Sequence, residues 1–255
     1  MQTLAPTILW FDSLPSTNTE AAAQASRGAP EGLCVVALEQ TAGRGRLDRQ
    51  WASPAGGLYF SLVLRPRIEI GFWSLLPLMA ALGVHDALQK VCGINPDIKW
   101  PNDLLVDGRK LCGILAETVE SEDGRAVILG IGINLTGVGR PRELEGIATS
   151  VQEAGGRNTD VRTVLQGVLA GLATRYESLQ SPGGGEQIRS DWMARSSFAS
   201  GRRVRVTNGS EPIDGRTRGL ETDGALRVET DAGEIRTVRT GEVTGLRELE
   251  EQTEH

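Results

Sequence analysis

Among 255 residues the chain carries two histidines, three cysteines and an aromatic content of only 4%. An odd set of cysteines (Cys34, Cys92 and Cys112), widely spaced, fits neither a disulfide framework nor a zinc pattern. Cys34 lies between Leu33 and Val35, and Cys112 follows Leu111. Such thiols read as small buried hydrophobes in a reducing cytosol. The opening Met1-Gln2-Thr3-Leu4-Ala5-Pro6 has no basic segment followed by an apolar run, so no signal peptide is evident. No stretch reads as the ~20 apolar residues that a membrane helix needs. Strong positive charge is missing as well. The net charge is −6, which removes any general pull toward nucleic acid or acidic membranes. The expectation is a cytoplasmic protein that is not a membrane partner, in which a local basic cluster needs a local explanation.

What is present is an ordinary globular balance, 39% hydrophobic and 24% charged, long enough for one large domain with a smaller one. Thr7–Phe11 reads as a strand closed by the turn Asp12-Ser13-Leu14-Pro15. Ser16-Thr17-Asn18 then supplies an N-cap for a helix over about Asn18–Ser26. Leu33–Leu38 and Leu58–Leu64 are strands by their continuous apolar runs. Glu39–Gly57 between them reads as a long loop, the kind that is more often functional than most segments. Phe72–Val91 has its apolar residues on one helical face, with Pro77 predicting a late start or a kink. Ile98–Trp100, Leu104–Val106, Leu111–Val119 and Ala126–Asn134 form an antiparallel meander, with turns at Asp107-Gly108 and Glu122-Asp123-Gly124. Val161–Leu179 is helical, Ser181–Gly185 breaks it, and Glu186–Arg195 is a further short helix. Beyond Ser200 only short alternating strands follow, which suggests a small barrel. The order of elements predicts an α+β fold: a mixed, mostly antiparallel sheet flanked by helices over 1–198, a small β domain over 199–250, and a charged frayed tail at 251–255.

Three constellations carry chemistry. Gly43-Arg44-Gly45-Arg46-Leu47-Asp48-Arg49-Gln50-Trp51 places three arginines within six positions. Guanidinium forks match carboxylates and phosphates and stay charged, while glycines allow close backbone approach. Asp48 tolerates the left-handed region, so a turn can form there. A solvated basic loop and a nucleic-acid contact compete with this reading. A dinucleotide fingerprint fails for want of the third glycine, and a phosphate-binding Walker loop for want of Gly-Lys-Ser/Thr. Alone, the loop marks an anion site. Second, Lys99-Trp100-Pro101-Asn102-Asp103 sits at a strand end, and Lys110 follows the turn at Gly108. Lys110 either lies in solvent or aims at the same anion, where its charge can neutralise two anions at once. Third, the glycines of Gly130-Ile131-Gly132-Ile133-Asn134 suggest close approach by a ligand or another backbone, or simply tight sheet packing.

Taken together, these segments resemble the biotin protein ligase family. The match comprises Ser16-Thr17-Asn18, Gln40 through Arg46, Ser53 through Ser61, Lys99 through Asp103, Lys110 through Leu115, and Gly130 through Asn134, in the family's order and spacing across roughly Thr7–Leu246. The resemblance implies a class II synthetase-like catalytic domain followed by an SH3-like barrel. It implies activation of biotin with Mg-ATP to biotinyl-5′-AMP, then transfer to one lysine of a biotin carboxyl carrier domain. By similarity, Ser16, Thr17, Asn18 and Gln40 would bind or flank the polar end of biotin, with Gly113 in the same pocket. Arg44, Gly45 and Arg46 would close over carboxylate and phosphate, and Lys110 would bridge the two. Lys110, Arg46 and Arg44 would carry the chemistry. Arg46, Arg49, Trp51, Asn102, Asp103 and Asn134 would face ATP, with Asp103 the candidate contact for Mg²⁺. His85 and His255 receive no role, and Cys112, where the family often has alanine, is expected only to pack. Leu47-Asp48 departs from a loop that is often more basic or glycine-bearing.

Family members that repress transcription carry a DNA-binding domain ahead of the first strand, where only Met1–Pro6 stand here. Over Gly201–Glu250 nine basic residues face ten acidic ones, a balance of −1. Direct DNA binding is therefore not expected, and a homodimer is an assembly the resemblance allows. Ligation of lipoate or octanoate, and a non-catalytic biotin-sensing module, are the alternative functions.

Overall fold

The computed structural model of the chain describes residue 4 and residues 6–121, 124–207 and 211–245. Glu122 and Asp123 of one expected turn, and the tail Arg247–His255, lie outside the described residues. A seven-stranded sheet is built from β1 (Thr7–Leu14), β2 (Leu33–Gln40), β3 (Gly57–Leu64), β4 (Asp97–Lys99), β5 (Asp103–Val106), β6 (Arg109–Ser121) and β7 (Gly124–Asn134). Its order is β1-β2-β3-β7-β6-β5-β4. Only β1 and β2 run parallel; every other neighbouring pair is antiparallel. A second sheet of five antiparallel strands follows: β8 (Ser200–Thr207), β9 (Ile213–Leu220), β10 (Leu226–Thr230), β11 (Ile235–Val238) and β12 (Glu242–Gly245). The mixed α+β architecture with a small C-terminal β part agrees with the alternation in the sequence.

The two faces of the large sheet explain where a site can form. Side chains alternate between faces along a strand. On β7, Val127, Leu129, Ile131 and Ile133 join the main core with Leu58, Phe60, Leu62 and Leu64 of β3. That core is covered by α2 (Leu76–Ala87) and α3 (Val161–Leu179), with α4 (Gly184–Arg195) beside them. On the opposite face, Ala126 and Ile128 of β7 and Val63 of β3 pack under α1 (Thr17–Ser26) through Ala21 and Ala25. Continuing along that face, side chains shrink to Ser61 on β3 and to Gly130 and Gly132 on β7. Here the covering helix runs out toward its N-terminus, and a shallow floor is left.

Three expectations need correction. β1 continues to Leu14 through the segment read as a turn, because its ladder with β2 holds as far as Leu14 opposite Gln40. The helix over Phe72–Val91 is three pieces: a 3₁₀ turn Ile70–Leu75, α2 with Pro77 in its first turn, and a π turn Leu88–Cys92. Proline fits there because the first N–H groups of a helix have no intrahelical partner. By length and composition the run Ile70–Cys92 is apolar enough to cross a membrane, contrary to the sequence reading, but it is largely buried in the core.

α3 begins where Asp160 caps it, its carboxylate accepting from Thr163 N at 2.8 Å. Arg175 on α3 pairs with Asp86 on α2 and Asp191 on α4, tying the three helices together. α2 and α3 meet through glycines. A Cβ at Gly171 would stand 2.5 Å from the Gly83 carbonyl oxygen, closer than a real contact allows. Gly171→Val should therefore force the helices apart and lower stability by about 1–3 kcal/mol. An unchanged urea midpoint would show that the helices do not need this contact.

Candidate active site

The expected long loop is a tight hairpin over most of its length. Arg44 bridges antiparallel to Gln50, Trp51 N donates to Gly43 O at 2.9 Å, and Gly45 N donates to Arg49 O at 2.7 Å. Leu47 and Asp48 both have positive φ, 54° and 58°, and Arg49 N donates to Arg46 O at 3.2 Å. That is the pattern of a type I′ turn, the two-residue connection whose twist suits a hairpin. Asp48 is a residue that tolerates this region. Leu47 is not, and it holds an unfavourable conformation of about 1–2 kcal/mol while largely exposed.

Trp51 anchors the hairpin to the bare floor. Gly113 on β6 and Gly132 on β7 are a cross-strand pair. A Cβ on either would lie 2.8 and 2.4 Å from the Trp51 ring, so neither position admits a side chain. At Gly130 a Cβ would meet the Asn18 carboxamide at 2.0 Å. The strand glycines thus make room for two of the chain's own side chains, Trp51 and Asn18, rather than for another backbone.

Lys110 Nζ lies 5.1 Å from the Trp51 ring centroid and 2.7 Å from Asp103 Oδ1. It is therefore not a lysine free in solvent. The backbone of Lys110 is fixed by a segment that the sequence reading passed over: Lys110 N donates to Ile147 O and Thr149 N to Lys110 O. Asn134 clamps this join, its amide donating to Thr149 O at 2.9 Å and to Lys110 O at 3.4 Å. Only its carbonyl oxygen remains for a ligand. Asn102 donates to Ile114 O at 2.6 Å, which turns its oxygen toward Arg46 at 3.4 Å.

The arginines point to different partners. Arg44 forms a bidentate pair with Glu117, at 2.7 and 3.2 Å. Arg46 reaches Asn102 and the carbonyl of Gly241, at the foot of the small β sheet, at 3.2 Å. Burial lowers its pKa, opposed by Asp103 and Glu242 and reinforced by Arg49. Arg49 forms a two-pronged pair with Glu242. On α1, Ser16 caps the helix through Thr19 N. Thr17 N donates to Gln40 Oε1 at 2.8 Å, and Ser61 Oγ sits 2.7 Å from Thr17 Oγ1 and 2.6 Å from Asn18 Oδ1.

One cleft of about 150 Å³ is lined by Ser16, Thr17, Asn18, Gln40, Arg44, Gly45, Arg46, Arg49, Trp51, Asn102, Asp103, Lys110 and Gly113. Asn134 lines a neighbouring cavity of about 750 Å³ that shares Arg49, Trp51, Asp103 and Lys110 with the first. Every expected site residue thus borders one of two adjoining spaces. Glu117, Gly241 and Glu242 were not read from the sequence, and Gln50 and Ser61 stood in quoted segments without a role. Ser61 and Glu117 had a findable signal, since period 2 places them on the face of Gly130 and Gly113. Glu242 had none, being far from the loop in sequence.

No group of three or more His, Cys, Asp or Glu side chains suited to a metal occurs among the described residues. Asp103 is a single carboxylate already neutralised by Lys110. This donor set does not build a resident magnesium cage, and it suits an ion that brings most of its ligands with it.

The biotin/lipoate A/B protein ligase model matches residues 10–134, and the biotin protein ligase C-terminal domain model matches residues 199–244. The bifunctional ligase/repressor BirA of Bacillus subtilis is 39% identical over 231 residues, covering 89% of this chain and 70% of the relative. The chain belongs to the biotin protein ligase family. Within that family, the biotin–[acetyl-CoA-carboxylase] ligase of Paracoccus denitrificans is 38% identical over 86% of this chain and 92% of its own length. The solved biotin protein ligase from Aquifex aeolicus, in complex with biotin and ATP, superposes with a TM-score of 0.81 at 31% identity, covering 93% of this chain and 97% of that one.

The Arg49–Glu242 pair and the Arg46–Gly241 bond fasten the ligase loop to the small domain. The hydrogen bond from Arg49 holds the Glu242 carboxyl below its usual range, against the effect of burial. A depressed carboxylate pKa means that the clasp is complete above the unfolded value of about 4.3 and is lost as pH falls through the lower folded value. At neutral pH, Glu242→Ala should speed tryptic cleavage after Arg46 and Arg49 about threefold or more by freeing the hairpin. Identical cleavage rates would show that the pair does not restrain the loop.

Proposed function

We propose that the chain is an ATP-dependent biotin protein ligase that acts in two steps across the two adjoining cavities. The observation that carries this reading is their common wall: Lys110, Asp103, Arg49 and Trp51 border both spaces. In the first step a carboxylate oxygen of biotin attacks the α-phosphorus of ATP. Pyrophosphate leaves with the broken P–O bond, giving biotinyl-5′-AMP. In the second step a lysine amine of the acceptor attacks the acyl carbon, AMP departs, and an amide forms. Two anions must meet in the first step, so preorganised cations supply the main stabilisation. No protein nucleophile is required.

In this assignment Ser16, Thr17, Asn18 and Gln40 receive the polar end of biotin above Gly113. Arg44, Gly45 and Arg46 close over carboxylate and phosphate, and Lys110 lies between the two anions. Arg49, Trp51, Asn102, Asp103 and Asn134 form the nucleotide side. Asn102 acts there through Arg46, since both ends of its amide are engaged. Asp103 would be the residue to hold, directly or through water, a magnesium ion carried by ATP, which would neutralise phosphate charge there, with Lys110 then free to pair with the substrates. The acceptor is a biotin carboxyl carrier domain, in keeping with the name of the Paracoccus relative. The net charge of −6 supports a protein that does not bind DNA directly, and three free buried cysteines support a cytoplasmic location. Burial raises the thiol pKa of each, that of Cys34 to about 12, so they pack rather than react.

Mass spectrometry after incubation with biotin, Mg-ATP and a carrier domain should find biotinyl-adenylate and one biotinylated carrier lysine. Absence of both products would refute the reading, and faster turnover of lipoate or octanoate under competition would replace it with the related ligation. Lys110→Ala should leave the Kd for biotin within about threefold but slow adenylate formation about a hundredfold or more, because its charge matters most as the anions converge. Equal losses in binding and rate would remove that role.

A further inference from the structure

We infer that Glu117 is a positioning residue that sets the donor–acceptor sense of the hydrogen bonds lining the cleft, an inference that rests on biotin being the ligand. Glu117 lies on β6, on the sheet face that carries Gly113. Its Oε2 accepts from Asn18 Nδ2 at 2.7 Å and from Arg44 Nη1 at 3.2 Å, and its Oε1 accepts from Arg44 Nη2 at 2.7 Å. Asn18 is buried, with 5% of its surface exposed, so each end of its amide needs a hydrogen-bond partner.

The sense of this buried amide is decided by one neighbour. On one side stands Ser61, fully buried, whose hydroxyl can donate or accept and so admits either end of Asn18. On the other side stands a carboxylate that can only accept. Glu117 therefore turns Nδ2 toward itself and Oδ1 toward Ser61. A hydroxyl has one proton. With Asn18 Oδ1 at 2.6 Å, the Ser61 proton goes there, since two facing acceptors would repel. The Thr17 hydroxyl, 2.7 Å from Ser61 Oγ and 3.2 Å from Gln40 Oε1, then shares its one proton between these two acceptors. The Thr17 N–H already fills Gln40 Oε1, which turns Gln40 Nε2 to Ser53 Oγ at 2.7 Å, and Ser53 donates to Trp51 O at 3.1 Å.

Glu117 thereby orders the amide of Asn18 and the hydroxyls of Ser61 and Thr17, and the Thr17 backbone N–H orders Gln40 and Ser53 as far as Trp51. The cyclic urea of biotin has two N–H donors and one carbonyl acceptor, so it reads such a pattern. An acid whose far end is a plain alkyl chain has nothing there to read. Glu117 thus supports selection of the substrate by its polar end without touching it.

The test is a double-mutant cycle on the full chain, with the Kd for biotin and for ATP measured by calorimetry. Glu117→Ala should weaken biotin about tenfold, because the Asn18 amide loses its orienting partner, and should leave the Kd for ATP within about twofold. In an Asn18→Ala background the same change should cost less than about threefold. Glu117→Gln keeps the shape but offers Asn18 either amide end. It should weaken biotin to an intermediate degree at an unchanged melting temperature, and it can replace Glu117→Ala in the cycle if that variant does not fold. Wild-type affinity in both variants, or equal losses with and without Asn18, would overturn the role of Glu117. Failure of the unmodified chain to bind biotin would instead remove the reading beneath it.

Discussion

The site depends on a patch of sheet that has no side chains. Where β6 and β7 pair Gly113 with Gly132, the sheet is thin enough for the Trp51 indole to lie flat on backbone. Trp51 in turn fixes the hairpin that carries Arg44, Arg46 and Arg49, and it offers its ring to Lys110. Two positions along β3 and β7, Ser61 opposite Gly130 leaves room for the Asn18 amide. A methyl group at Gly132 would displace the indole, and with it the cations that surround the cleft. The hydrophobic face of the same strands is ordinary core. The two faces thus divide the work, one side holding the fold and the other giving precise placement to long polar side chains.

Much of this architecture was legible because period and punctuation are local. The Val161–Leu179 stripe, the Pro77 delay and the alternating strands after Ser200 follow from neighbours in sequence. The ordered motifs named residues that the fold gathers around two adjoining cavities. What was hidden depends on distant partners. Asp12–Leu14 reads as a turn by composition, yet a neighbouring strand holds it extended. Leu47 gives no local signal for a positive φ; the bridge between Arg44 and Gln50 imposes it. The glycines of β7 signalled close approach, but only the fold shows that the visitors are Trp51 and Asn18. Glu242, almost two hundred residues from Arg49, could not be found by any local pattern.

The contact of Arg46 and Arg49 with Gly241 and Glu242 gives the small β sheet a mechanical relation to the cleft. If the hairpin is to open and close, it needs restraints strong enough to order it and weak enough to release it. Half-exposed ion pairs meet that need, since solvent screens them and each contributes from nothing to about 1 kcal/mol. The strain at Leu47 is of similar size and opposes the closed turn. The hairpin is therefore balanced between small terms of opposite sign, whereas the core beneath it is not.

The same balance describes the charges. Of the five cations that line the cleft, Arg44, Arg46, Arg49, Lys99 and Lys110, three rest against a protein carboxylate: Arg44 on Glu117, Lys110 on Asp103 and Arg49 on Glu242. Each pairing offsets positive charge that the hairpin and Lys110 would otherwise concentrate in the cleft. Arg46 differs. Among the described residues its hydrogen bonds go only to uncharged acceptors, Asn102 and Gly241, and burial presses its pKa downward. An added carboxylate or phosphate would compete with a protein carboxylate at Arg44, Arg49 and Lys110 but with none at Arg46. Among the loop arginines the electrostatic gain from an added anion would be greatest at Arg46, the most buried of the three, where water screens the interaction least.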